Sequence, residues 1–154
     1  MKPQSAYTLI EVIVVMAVTT ILAGVGLTSL NTINRRQKLV QNVKALVADL
    51  RLTKSLADSQ QKPVDCGTQT LNGYRLLIID DDTITISAKC DDDYYQYKSR
   101  ITTARLDGLT EIFYPVLHQP VEFFPAVADQ KIIVTQNGQN ITISIEETGA
   151  VNYE

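Results

Sequence analysis

The pattern of apolar and polar positions changes twice along this chain of 154 residues. Residues 9–30 are almost wholly apolar, and Glu11 is the only charged side chain among them. As an α-helix this run would span about 33 Å, close to the thickness of a bilayer's hydrocarbon core. The pattern therefore predicts a helix whose first half is apolar on all sides.

A one-sided helical pattern continues beyond residue 30. Apolar or small side chains recur there at alternating spacings of four and three residues, which is typical of an amphipathic helix. This stripe consists of Leu39, Val43, Leu46, Leu50, Thr53 and Ala57. The charged side chains of this stretch, Asp49 among them, are expected mostly off the stripe. No proline interrupts the pattern before Lys62-Pro63, so we predict one helix from about Tyr7 to Asp58 that the proline ends.

After Pro63 the period falls to two residues, which predicts β-strands. Asn137-Gly138 between two alternating runs is the strongest short hairpin signal, and Asp80–Asp82 indicates another hairpin turn. The fold is therefore predicted to be α+β, with the second half of the long helix packed on an antiparallel sheet. The expected strands are Tyr74–Ile79, Thr83–Ser87, Tyr94–Lys98, Ile101–Leu106, Glu111–Tyr114, Val121–Phe124, Lys131–Gln136, Asn140–Glu146 and Ala150–Tyr153.

Charge is divided unevenly between the two ends of the chain. Residues 1–58 carry a net charge of +4, whereas residues 59–154 carry −7. A basic stretch beside an apolar helix suits a membrane anchor whose flank lies near lipid head groups. The acidic remainder suits a domain outside the bilayer and argues against a general nucleic-acid binder.

The two cysteines, Cys66 and Cys90, both lie beyond the helix and beside turn-forming residues. In an exported protein they could form a disulfide; the alternative is two free or buried thiols. Their position beside turn-forming residues, Cys66-Gly67 and Cys90-Asp91, favours the disulfide.

Nothing in the sequence indicates catalysis, a cofactor or a metal site. The only histidine, His118, has no cysteine cluster or nucleophile pattern around it. Asp80–Asp82 and Asp91–Asp93 lack the alternating spacing of a calcium loop, so solvated turns explain them better. We therefore expect a protein that is not an enzyme.

The informative segment runs from Ser5 to Ala17 and contains the lone carboxylate of Glu11. A charge at the start of an apolar helix is costly, so it either reaches back to the lipid head groups or has a partner. Cleavage after Ala6 would create a new amine on Tyr7, four residues before Glu11. Such an amine is a cation that the Glu11 of a neighbouring subunit could neutralise.

The same segment resembles the type III signal of type IV pilins and pseudopilins. Its parts are a short basic leader, the small residue Ala6, the aromatic Tyr7, then Thr8-Leu9 and Glu11 before a long apolar run. The residue before the cut is usually Gly and the first mature residue usually Phe, so Ala6 and Tyr7 are mild departures.

The resemblance implies the pilin fold, processing and assembly. A prepilin peptidase would cut between Ala6 and Tyr7 and methylate the Tyr7 amine. The mature subunit would wait in the inner membrane as a single-pass protein with its C-terminal domain outside the cytoplasm, and then join other pilins or pseudopilins in a fibre. The implied segments are a leader at 1–6, a transmembrane and assembly helix at 7–30, an amphipathic second half at 31–62 and a β-rich domain at 63–154.

A weaker resemblance covers Val47–Ala57, Lys62–Val64 and the closing strand region from Asn140 to Asn152. These segments are similar to H-type minor pseudopilins of type II secretion and to their T-type minor pilin relatives. A competence or type IV minor pilin that binds DNA is the alternative, and it would use a small basic patch at Arg100 and Arg105. A plain membrane protein without an assembly role does not explain the spacing of Ala6, Tyr7 and Glu11.

Overall fold

The computed structural model describes residues 8–117, 119–126 and 130–154, and the side chains within them apart from those of residues 23–30. The fold is α+β, as predicted: helix α1, Leu9–Asp58, precedes the strands of an antiparallel β domain. A short 3-10 turn, Val64–Cys66, connects the two parts. The strands in the described residues are β1 Leu71–Ile79, β2 Thr83–Cys90, β3 Asp93–Ile101, β4 Arg105–Gly108, β5 Glu111–Pro115, β6 Glu122–Phe124, β7 Lys131–Gln136, β8 Gln139–Ile145 and β9 Val151–Tyr153.

The strands form two antiparallel sheets. One has the order β3-β2-β1-β5-β6 and the other the order β4-β7-β8-β9. The β7–β8 hairpin turns at Asn137-Gly138, where both residues have positive φ, as the sequence predicted. Asp80 and Asp81 also adopt positive φ in the turn between β1 and β2.

The described residues divide into two compact units on either side of the bond between Gln37 and Lys38. In the N-terminal unit, α1 begins at Leu9, and every side chain from Thr8 to Leu22 is exposed. Within the residues that the structure describes, no helix has the length and apolarity needed to cross a membrane.

The core of the C-terminal unit forms between α1 and both sheets. Every residue of the predicted stripe is buried, from Leu39 to Ala57. Alternate strand residues such as Ile86 and Ile112 of the first sheet, and Ile143 of the second, belong to the same apolar cluster. The four-three spacing therefore identifies the packed face of the helix, because only that spacing keeps side chains on one side.

Backbone hydrogen bonds end α1 before the chain reaches Pro63. The prediction that the proline ends the helix is therefore wrong. Gln60 has a φ of 51°, its N–H donates to the Ala57 carbonyl at 3.1 Å, and the Gln61 N–H donates to the Leu56 carbonyl at 3.2 Å. This pair of bonds is a Schellman motif, which terminates a helix through one left-handed residue.

The predicted strand Ile101–Leu106 is wrong, because the chain changes sheets within it. Strand β3 ends at Ile101, and β4 begins at Arg105 in the other sheet. Between them the Ala104 N–H donates to the Thr102 hydroxyl at 3.3 Å, and the Thr102 N–H donates to the Asp82 carbonyl at 2.8 Å. These bonds, one local and one to the turn before β2, replace ladder bonds and form the crossing.

Candidate functional site

Glu11 lies in the first turn of α1, where its N–H donates to the Thr8 carbonyl at 3.1 Å. Among the described residues no cation pairs with its carboxylate. Ala6 and Tyr7, the predicted processing residues, lie outside the described part of the chain. An acidic side chain in the first turn is favourable for a helix, because it faces the positive end of the helix dipole.

The turns that follow Glu11 present apolar side chains on every side of the helix. Exposed residues there include Val12, Ile13, Met16, Val18 and Ile21. Such a surface is stable only against lipid or other apolar helices.

Two hydroxyls in the described part of the same stretch are satisfied inside the helix. Thr19 donates to the Val15 carbonyl at 2.9 Å, and Thr20 donates to the Met16 carbonyl at 2.7 Å. These threonines therefore do not oppose burial of the surface in apolar surroundings, because their donors are already used. In the described part of this stretch, only Glu11 brings an unpaired charge.

A disulfide joins Cys66 to Cys90, whose Cα atoms are 5.9 Å apart. Cys66 ends the 3-10 turn after α1 and Cys90 ends β2, and both are buried. The disulfide therefore links the segment that follows α1 to the last residue of the β1–β2 hairpin.

Comparison with known families bears on the segment around Glu11. Residues 1–27 match the family model of the prokaryotic N-terminal methylation motif. The match supports the type IV pilin and pseudopilin family, whose precursors are processed by a prepilin peptidase. A search of the curated proteins and a search of the solved structures each return no match. The prepilin-type motif contains Ala6, Tyr7 and Glu11, the residues chosen from the sequence.

The sequence interpretation missed an ion cluster around a buried aspartate in the C-terminal unit. Asp49 of α1 is only 3% exposed. It accepts from Lys98 Nζ at 2.8 Å and from Arg100 Nε at 2.5 Å, both on β3. The expectation that Asp49 lies off the packed stripe is therefore wrong. Asp49 follows Leu46 by three residues and so flanks the stripe, but helix spacing does not indicate that Lys98 and Arg100 on a distant strand would reach it.

The two arginines considered for a basic patch are both engaged by carboxylates. Arg100 binds Asp49, whereas Arg105 lies 3.4 Å from an Asp81 oxygen and 3.2 Å from an Asp107 oxygen. Their charges are therefore largely compensated within the domain, which disfavours a DNA-binding patch built on them.

The aspartate clusters are occupied with turn and ion-pair contacts. Asp82 accepts from the Thr83 hydroxyl at 2.9 Å, Asp91 accepts from the Thr70 N–H at 3.3 Å, and Asp93 accepts from Gln69 at 2.7 Å. Within the described residues, no three acidic, histidine or cysteine side chains converge as metal ligands. The contacts fit the interpretation of these clusters as turn residues.

The tyrosines of β3 make contacts within the domain. The Arg75 guanidinium lies 3.5 Å from the centre of the Tyr94 ring, and the Tyr95 hydroxyl donates to Gln69 at 3.0 Å. The Tyr97 ring packs edge-on against Tyr74. Cation–π and edge-to-face packing account for these rings without a ligand.

Proposed function

We propose that this chain is a minor pilin or pseudopilin subunit that assembles into a type II secretion pseudopilus or a type IV pilus. The observation that carries the proposal is the match of residues 1–27 to the prepilin-type methylation motif. A long helix leading into an antiparallel domain is the architecture that such a subunit requires, because the helix assembles while the domain covers the fibre.

The processing step uses Ala6 and Tyr7. A prepilin peptidase cuts between them, since Ala6 is small enough for a narrow subsite, and the Tyr7 amine is then methylated. The leader at 1–6 is lost and the helix from residue 7 stays on the mature chain. The mature subunit waits in the inner membrane, anchored by the apolar stretch of 7–30, with its C-terminal domain outside the cytoplasm.

Assembly moves the apolar helix from lipid to the helices of other subunits. Both surroundings are apolar, so the transfer changes little hydrophobic free energy, and polar contacts decide the register. Glu11 supplies that contact by pairing with the terminal amine of an adjoining chain, which removes an unpaired charge from an apolar environment.

Within this class, the H-type minor pseudopilins of type II secretion are the subgroup that we favour. The support is the resemblance of Val47–Ala57 and of the closing strands at 140–152 to that group. Within the segment 31–62, α1 continues to Asp58 and carries the apolar face on which the β-rich domain at 63–154 packs. The export of secreted proteins is the process that such a fibre serves.

The processing step is tested by mass spectrometry of the mature protein from cells with an active prepilin peptidase. We expect a chain that begins at Tyr7 and carries one additional methyl group on its amine. Ala6→Leu should abolish cleavage, whereas the matched variant Ala6→Gly should be cut. A mature wild-type chain that retains residues 1–6 would falsify the proposal.

The assembly step is tested with Glu11→Gln and Glu11→Ala. Both variants should enter the membrane at least as well as wild type, because a costly charge has been removed. Their share in purified fibres, relative to the membrane fraction, should fall. Thr19→Val is the control, since its hydroxyl serves only the helix. Equal incorporation of Glu11→Ala would exclude the amine pairing for this subunit.

A further inference from the structure

Strand β9 forms one edge of the second sheet, whose strand order is β4-β7-β8-β9. It pairs with β8 through Glu154, whose N–H donates to the Thr142 carbonyl at 3.1 Å and whose carbonyl accepts from the Thr142 N–H at 3.2 Å. Bonded residues alternate along an antiparallel ladder, so Asn152 also faces β8, whereas Val151 and Tyr153 turn their N–H and C=O groups away from it. In the described part of the chain these four backbone groups have no partner.

The opposite edge of the same sheet is closed by the chain itself. On β4 the Leu106 N–H donates to the carbonyl of Asp81, in the turn between β1 and β2, at 2.7 Å. The open edge is also poorly supplied with water, because Val151 as a whole is only 8% exposed. Backbone groups away from water are normally bonded, and a row of unpaired ones at a sheet edge pairs readily with another strand. The edge at β9 therefore lacks a strand.

A groove of about 510 Å³ lies between α1 and this open edge. Lys44, Val47, Ala48 and Arg51 of α1 line one side, and Tyr153 of β9 lines the other. Lys44, Ala48 and Arg51 follow one another at spacings of four and three residues, so they share one face of the helix, and all three are exposed. The sheet thus ends at β9 before it covers this face of α1.

The charge of the groove indicates what kind of strand fits it. Lys44 and Arg51 form no ion pair with any described residue, and they lie roughly 10 Å apart along the helix axis with Ala48 between them. In an extended strand every second side chain points to the same side, so three such side chains span about 13 Å. An acidic, an apolar and an acidic side chain in that order match the cation, alanine and cation of the helix face.

We infer that β9 accepts an extended acidic segment of an adjoining subunit, which pairs antiparallel with it as a fifth strand of this sheet. Residues opposite Val151 and Tyr153 direct their N–H and C=O groups to β9 and their side chains toward α1. Their carboxylates reach Lys44 and Arg51. The inference rests on the proposed function, because assembly is what brings a second chain to this edge.

The pairing is tested first without a fibre, on full-length, isotope-labelled protein in detergent micelles. The probe is the synthetic peptide acetyl-Glu-Thr-Val-Thr-Glu-amide, which carries the acidic, apolar, acidic pattern on one side. We expect saturable NMR shifts of the Val151 and Tyr153 amides. Their hydrogen exchange should slow at least about tenfold at saturation, because a bonded amide exchanges only when the bond opens. The Asn152 amide, which already faces β8, is the internal reference.

Two methylated probes separate strand pairing from general attraction. In the antiparallel arrangement the valine amide of the probe donates to β9, whereas its two threonine amides point away. A probe N-methylated at valine should therefore bind at least about tenfold more weakly, because a backbone donor is lost opposite an unpaired acceptor. A probe N-methylated at both threonines should bind like the parent. Equal binding of the two methylated probes would overturn the pairing, and so would the absence of shifts at Val151 and Tyr153.

The preference for an acidic strand is tested by exchanging charges on both sides. Acetyl-Gln-Thr-Val-Thr-Gln-amide should bind wild type about fivefold more weakly than the parent probe, as expected for two partly exposed ion pairs. In Lys44→Gln/Arg51→Gln the two peptides should bind alike. The matched variant Arg36→Gln/Lys62→Gln removes exposed cations outside the groove and should keep the difference. An unchanged preference in Lys44→Gln/Arg51→Gln would overturn the assignment of the carboxylates to this groove.

The source of the strand is tested in fibres with Tyr153→Pro and Tyr153→Leu. Proline removes an N–H that faces away from β8, which an edge strand tolerates, whereas leucine removes the phenol ring and keeps the N–H. Both variants should be cut to a Tyr7 terminus, but Tyr153→Pro should enter fibres less than Tyr153→Leu. Equal entry, with probe binding lost only in Tyr153→Pro, would exclude an adjoining subunit as the source.

The failures of the two proposals are distinguishable. The methylated probes use wild-type protein, so they decide the pairing even where proline disturbs the domain. A wild-type chain that keeps residues 1–6 would contradict the proposed function and leave the probe results standing.

Discussion

Two buried tyrosines differ by one hydrogen bond, and this difference can be measured. The Tyr74 hydroxyl donates to the Gln61 carbonyl at the end of α1, whereas the Tyr114 hydroxyl has no partner among the described residues. Tyr74 and Tyr114 lie opposite each other on β1 and β5 and are both buried. They share a position in the sheet, and the use of the hydroxyl is the difference that the two variants test; Tyr74 also packs edge-on against Tyr97.

Tyr114→Phe should raise the free energy of unfolding by about 1 kcal/mol, because it removes a buried polar group that is not hydrogen-bonded. Tyr74→Phe is the matched variant and should lower that free energy by about 1 kcal/mol, because a hydrogen bond is lost. Urea unfolding followed by circular dichroism measures both. A loss of stability in Tyr114→Phe would show that the hydroxyl is satisfied in the free protein.

Asp49 carries a charge that α1 can bury only because β3 supplies two cations. Removing the carboxylate leaves Lys98 and Arg100 facing each other beside the core. Asp49→Ala should lower the free energy of unfolding by roughly 2–4 kcal/mol. This is somewhat less than the cost of breaking a fully buried ion pair, because both cations are partly exposed.

The control for Asp49→Ala is Asp65→Ala, which removes an exposed carboxylate. It should change stability by no more than about 0.5 kcal/mol. Denaturant midpoints of the two variants give the comparison. If Asp49→Ala were as stable as Asp65→Ala, the ion cluster would contribute nothing to the fold.

At the scale of elements, β3 is the edge of its sheet and is protected against pairing with another strand. Tyr97 forms a bulge between the pairs Ile86–Lys98 and Ser87–Gln96. Lys98 and Arg100 point toward the helix and place charges beneath the edge. Bulges and inward-pointing charges are common means of preventing edge-to-edge association.

A second prediction at the scale of elements concerns the left-handed residue that ends α1. Gln60 occupies the left-handed position of the Schellman motif, where glycine is preferred. Gln60→Gly should raise the free energy of unfolding by about 0.5–1 kcal/mol, because the left-handed conformation costs glycine nothing in sterics. The melting temperature measures this gain. Gln61→Gly is the control; an equal gain there would contradict the left-handed assignment at Gln60.

For the whole molecule, the disulfide constrains the unfolded chain more than any single contact in the domain. It closes a loop between residues separated by 24 positions. Cys66→Ser/Cys90→Ser should therefore lower the free energy of unfolding by about 3 kcal/mol, the loop-closure value for a segment of this length.

The control for the cysteine double variant is reduction of the wild-type protein, which should lower stability by a similar amount. Labelling of thiols in unreduced, undenatured protein should detect neither cysteine. Reaction of both would contradict the bond between Cys66 and Cys90.

Much of the fold was predictable because its signals are local. The stripe from Leu39 to Ala57 identifies a packed helix face through spacing alone. Asn137-Gly138 identifies a hairpin, since few other pairs accept two positive φ angles. The prepilin-type motif around Glu11 is likewise a local pattern, because a peptidase reads a short contiguous segment.

Other features depended on partners distant in sequence, and only the tertiary structure decided them. Asp49 is buried because β3 returns with two cations about 50 residues later, which helix spacing does not reveal. The crossing at 102–104 depends on hydrogen bonds to the turn at Asp82. The groove between α1 and Tyr153 forms where two segments distant in sequence meet, and neither of them alone indicates it. The sequence by itself therefore determined the N-terminal motif, the long helix and the local hairpins, whereas burial of charge and the shape of the domain surface arise from contacts that exist only after the chain has packed.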